Sequence, residues 1–149
     1  MKNVIILLIA AFFCLASTSV RADDRATAVA LVKKAVAFYQ ANGAEKLIEE
    51  ASNPKGQFVE GASYVFVMDK DAFMLAHPMN ASIAGTATMK LQDANGKFFC
   101  KEMVEVASSK GAWVDYISFK NPKTNEMAPK STYVERIDDF IVGSGIYRK

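Results

Sequence analysis

The spacing of apolar and polar residues changes several times along this chain, and each change marks an element. After Asp23-Asp24, Val29, Val32, Val36 and Tyr39 recur three and four residues apart. Leu31, Ala35 and Phe38 widen the apolar side, while Lys33, Lys34 and Gln40 mark the wet side. This pattern predicts a long amphipathic helix, and the two aspartates suit the free N–H groups and positive dipole end of its first turn. Asn42-Gly43 ends or kinks it. Residues Ala44 to Ser52 predict a second, shorter helix, stopped by Asn53-Pro54-Lys55-Gly56.

The pattern then turns to strands. Ser63 to Met68 is rich in β-branched and aromatic residues, Asp69-Lys70-Asp71 is a polar turn, and Ala72 to His77 returns before Pro78, which together predict a hairpin. Residues 80 to 99 carry Gly85, Gly96 and a turn-like Asp93-Ala94-Asn95-Gly96 and predict no regular element. Phe99, Met103, Val106 and Ala107 have helical spacing, ended by Lys110-Gly111. Three strands close the chain: Trp113 to Phe119, Ser131 to Ile137 and Phe140 to Tyr147, the last two joined by a tight Asp138-Asp139 turn. The sum is an α+β fold, and a single antiparallel sheet of five strands with helices packed on one face is its simplest layered form.

The N-terminus changes the picture of where the chain resides. Lys2 precedes an apolar run from Val4 to Ala16, and Val20 and Ala22 sit where a signal peptidase reads small residues. The run is too short to span a bilayer, so residues 1–22 are expected to be a cleaved signal peptide and 23–149 a single domain of the periplasm. A retained anchor is the competing reading. Cleavage removes Lys2 and Arg21 and no acidic residue, taking Lys plus Arg from 18 to 16 against 16 acidic residues. A near-neutral surface excludes the basic footprint that a nucleic-acid partner requires. Cys14 leaves with the signal peptide and Cys100 remains alone, so no internal disulfide is expected.

Chemistry is sparse. One histidine and one remaining cysteine cannot supply a zinc or copper site, and Asp69 with Asp71 is too little for an EF-hand loop. Ser144 lies inside a strand pattern with no helix after it, so Gly143-Ser144-Gly145 reads as close backbone approach or a bulge rather than a nucleophile elbow. No enzyme and no cofactor is expected. His77 shares a strand face with Phe73 and Leu75 and reads either as a core histidine or as a ligand group. Trp113 and Tyr116 fall on opposite faces by strict alternation, as do Lys130 and Tyr133, although Lys130 stands at a strand entrance where alternation is loose. Two readings stay open: a lysine, two phenols and an imidazole holding a small carboxylate, or core aromatics with an exposed lysine.

Taken in order, Val65-Phe66-Val67-Met68-Asp69, Ala76-His77-Pro78, Gly85, Trp113-Val114-Asp115-Tyr116, Asn121-Pro122, Pro129 to Val134 and Ile141 to Tyr147 resemble the second type of single Cache domain. The resemblance covers nearly all of residues 23–149. It implies a PAS-like fold, a long N-terminal helix and a five-stranded antiparallel sheet with one pocket, serving as an extracytoplasmic sensor of chemoreceptors and sensor kinases. It also implies small organic acids as ligands and His77, Trp113, Tyr116, Lys130 and Tyr133 as pocket residues, with Phe66 in the floor. Lys130 would neutralise a carboxylate, the two tyrosines would donate hydrogen bonds and Trp113 would wall the apolar part. Family sensors carry flanking membrane spans, and this sequence is expected instead to present its ligand to a membrane receptor or sensor kinase. Homodimers through the long helix are a further implication. The alternative is a protein-interaction module whose pocket has degenerated.

Overall fold

The structure is a computed structural model that describes residues 19–118 and 120–148, with side chains from residue 24 onward. The expected signal peptide falls almost wholly outside the described residues. No described helix is long and apolar enough to cross a membrane.

Helix α1 (Ser19–Asn42) begins the fold and α2 (Ala44–Ala51) follows. Gly43 separates them at φ 85°, a left-handed conformation that glycine adopts without steric cost, and its N–H donates to the Tyr39 carbonyl at 2.7 Å. A two-residue strand β1 (Val59–Glu60) precedes β2 (Ser63–Asp69) and β3 (Met74–Ala76). In the turn between β2 and β3, Asp69 Oδ1 accepts from the N–H groups of Asp71 and Phe73 at 2.9 and 2.8 Å. Helix α3 (Phe99–Val106) leads to the meander β4 (Ala112–Ser118), β5 (Ala128–Ile137) and β6 (Phe140–Tyr147).

The sheet is antiparallel throughout, in the order β1-β2-β6-β5-β4, with β3 also paired to β2. The five expected strands are all present and β1 is added as a sixth. The first hairpin joins the meander through β2 and β6, where Phe66 stands opposite Gly143. Strand β5 begins at Ala128, three residues earlier than its pattern suggested, which places Lys130 inside the ladder between Tyr116 and Tyr147.

Both faces of the sheet are covered, not one. Leu31, Val32 and Ala35 of α1, with Leu47 of α2, pack on Val65, Val67 and Val142. On the opposite face Phe99, Cys100 and Met103 of α3 pack with Phe66, Met68, Val134 and Ile141. Strand β2 has a core on either side, and all of its residues from Ser63 to Met68 are buried. An unbroken apolar run is what such a strand requires, whereas a strand wet on one side alternates.

Candidate functional site

A cavity of about 510 Å³ lies on the α3 face of the sheet. Its floor comprises Tyr64 and Phe66 from β2, Tyr116 from β4 and Lys130 from β5. Helix α3 and the segment before it form the opposite wall, and His77, just past β3, stands at the side. Each floor residue belongs to one face by strand alternation, so the ladder register converges them without unusual backbone. The glycines of β6 supply the room. A Cβ on Gly143 would collide with the Phe66 ring, and one on Gly145 would collide with Lys130 Cε and lie 2.6 Å from Thr132 Oγ1. Close backbone approach is therefore the role of Gly143-Ser144-Gly145.

Lys130 dominates the electrostatics. Its residue is 2% exposed, and Nζ donates to the Tyr64 hydroxyl at 2.9 Å. The ammonium also faces the rings of Tyr64 and Tyr147 at 4.5 and 4.9 Å. No carboxylate among the described residues pairs with it. A buried ammonium without a counter-ion costs several kcal/mol in desolvation, which a hydroxyl and two ring faces offset only in part.

The neighbouring groups remain neutral. Burial, followed by the Lys130 charge, pushes the His77 imidazole down to about 3. Its ring lies 5.0 Å from that of Tyr64 and stacks on Phe66 at 6.2 Å, and its buried Nδ1 has no hydrogen-bond partner. Burial pushes Tyr116 up to about 12, and its hydroxyl is 3.1 Å from Thr132 Oγ1. The Tyr116 ring stacks on Phe99 at 4.3 Å. Burial also raises the Cys100 thiol to about 11, which leaves little thiolate for nucleophilic chemistry. Among the described residues no group of three His, Cys, Asp or Glu could hold a metal ion.

The cavity thus gathers four of the residues the sequence pointed to: Phe66, His77, Tyr116 and Lys130. Lys130 is buried, so it is not the exposed lysine of the competing reading. Trp113 and Tyr133 do not join them. They pair across β4 and β5 on the α1 face, with rings 5.4 Å apart. There Arg25 lies 4.3 Å over Trp113, and the Tyr133 hydroxyl donates to Glu135 at 2.6 Å. Glu135 is also bound by Lys33 of α1 at 2.6 Å. No bulge interrupts the registered β4–β5 ladder, so alternation separates Trp113 from Tyr116 and Tyr133 from Lys130. Tyr64 joins the floor beyond the residues expected from the sequence, and its position two residues before Phe66 marks it for the same face.

The family model described as Single Cache domain 2 matches residues 27–149. A sensor histidine kinase, MctS, from Rhizobium johnstonii is 29% identical over 86 residues, covering 56% of this chain and 18% of the kinase. The chain therefore spans under a fifth of that relative's length. A methyl-accepting chemotaxis protein of Vibrio parahaemolyticus has the same fold, with a TM-score of 0.69 and 22% identity over 86% of this chain and 90% of that one. So does a Cache chemosensory domain solved for its carboxylic acid recognition, with a TM-score of 0.68 and 22% identity over 87% and 96%.

Proposed function

This chain belongs to the Single Cache domain 2 family, and from that premise we propose that it is an exported sensor domain that binds a small organic carboxylate at Lys130 and catalyses no reaction. Its relatives act in ligand sensing, as chemotaxis proteins and a sensor kinase. The observation that carries the reading is the buried Lys130 ammonium, facing a cavity with no carboxylate of the described residues beside it. A carboxylate there would replace lost water with a charge-assisted hydrogen bond, about twice as strong as a neutral one. The Tyr64 and Tyr116 hydroxyls would donate to its oxygens, and the unpartnered His77 Nδ1 would serve the edge of the site. The Cache domain that recognises carboxylic acids shares the scaffold, so the chemistry is compatible with the fold.

Against catalysis stand a neutral His77 and a thiol held far from ionisation. The signal-peptide pattern of residues 1–22 supports export to the periplasm. A membrane receptor or sensor kinase would read the bound state, and α1 would supply the surface on which two copies pair. The test has two parts. The full chain is expressed in a Gram-negative host, and the periplasmic fraction should yield a protein whose mass begins at Asp23. That protein is then titrated with carboxylates by calorimetry. A chain held at the membrane with residues 1–22 intact would replace the cleaved signal peptide by a retained anchor, and a chain confined to the cytoplasm would overturn export. A folded protein that binds no acid would shift the reading to an interaction module with a degenerate pocket.

A further inference from the structure

The polar and apolar groups of the cavity are sorted along the sheet. Lys130 is flanked across the ladder by Tyr116 and Tyr147 at one end. Farther along, Gly143 stands between Phe66 and Val134, and Met74 and Met103 belong to the same apolar cluster as Phe66 and Val134. A two- or three-carbon acid has four to six non-hydrogen atoms, which at roughly 30 Å³ each, the share of a water molecule in the liquid, fill about 120–180 Å³. The cavity holds about 510 Å³. Part of the remainder lies beside Phe66, Met74 and Met103, where water finds few of the two to four polar partners it needs. An eight-carbon acid, with ten such atoms, fills roughly 300 Å³ on the same scale. Among the described residues no Asp or Glu lines the cavity and Lys120 lines it as well, so an ammonium group on the ligand would meet two lysines and no counter-charge.

We propose, building on the carboxylate site above, that the ligand is a monocarboxylate with an apolar tail and no ammonium group, its carboxylate at Lys130 and its tail between Phe66, Met74 and Met103. Acetate-sized acids and amino acids are poor ligands by this geometry.

Calorimetric titration of the purified protein with straight-chain acids of two to ten carbons tests it. Affinity should rise about fourfold per methylene, the equivalent of ~0.8 kcal/mol, while the tail finds room beside Phe66, Met74 and Met103, and then stop rising. Norleucine should bind at least about 100-fold more weakly than hexanoate, because its ammonium is buried unpaired. Leu91→Phe, which enlarges a side chain of the cavity lining, should move the preferred length to shorter acids. Acetate binding as tightly as hexanoate, with binding still lost in Lys130→Met, would overturn the tail and leave the carboxylate site standing. Norleucine matching hexanoate would overturn the exclusion of ammonium. No binding of any acid, or equal binding by wild type and Lys130→Met, would instead remove the carboxylate site on which the tail depends.

Discussion

Replacing Lys130 by methionine separates a ligand group from a structural one. The substitution keeps an unbranched side chain of similar length and removes the charge. In the free protein two effects oppose each other. The variant loses the hydrogen bond to Tyr64 and the contacts with the Tyr64 and Tyr147 rings, worth about 2–4 kcal/mol together. It also escapes the desolvation of a buried charge without a counter-ion, a cost of several kcal/mol. The free variant should therefore stay within about 2 kcal/mol of wild type, with a gain as acceptable as a loss. Binding behaves differently. Removing one member of a buried ion pair costs about 3–5 kcal/mol, so Kd should rise by a factor of roughly one hundred to a few thousand. At an acid concentration 100 times the wild-type Kd, wild type gains about 2.7 kcal/mol, on the order of 10 °C in Tm. At the same concentration the variant should gain less than about 0.5 kcal/mol, a shift of about 2 °C or less. Thermal unfolding with and without acid reads both quantities. A free variant that loses more than about 3 kcal/mol would make Lys130 a structural residue. A folded variant that keeps the full ligand shift would refute its role in binding.

Three further substitutions probe the surroundings. Unfolded, His77 takes up a proton below about 6.5; folded, it stays neutral down to about 3. The unfolded chain therefore binds more protons between those values, and stability should fall as pH drops from 6.5 towards 3. His77→Gln should flatten part of that slope, up to about 4 kcal/mol across the window, and urea unfolding of both proteins at pH 7, 5 and 4 measures it. Gly145→Ala should cost about 1–3 kcal/mol of stability and weaken acid binding at least tenfold, because the added Cβ displaces Lys130; unchanged affinity by calorimetry would show that Lys130 need not occupy this position. Tyr133→Phe should lose about 1–2 kcal/mol with the hydrogen bond to buried Glu135 and leave acid binding intact, since it lies on the other face of the sheet. A Tyr133→Phe protein that folds but no longer binds would contradict the separation of the two faces.

Much of this protein is determined locally. Apolar residues three and four apart fix the buried stripe of α1 and Gly43 fixes its end, whereas the helix begins at Ser19 and not at the expected Asp23-Asp24. The turn at Asp138-Asp139, the five principal strands and the need for close approach at Gly143 and Gly145 follow from short-range patterns as well. Even the separation of Trp113 from Tyr116, and of Tyr133 from Lys130, is written in the two-residue period of a strand. The resemblance gathered all four into one pocket; alternation, obeyed without a bulge, divides them between two faces.

Other features exist only once the chain is folded. Burial on both sides of β2 depends on which elements cover the sheet, and only the paths of α1, α2 and α3 decide that. Lys130 is an ordinary lysine in the sequence. It becomes a buried ammonium because β5 is paired on both sides, because Gly145 admits its stem, and because the 79–99 segment and α3 close over it. Side-chain period is a property of neighbouring residues and can be read from them. Desolvation is a property of everything packed around a group, from β2 to β6 and α3, and so it was decided only by the tertiary structure.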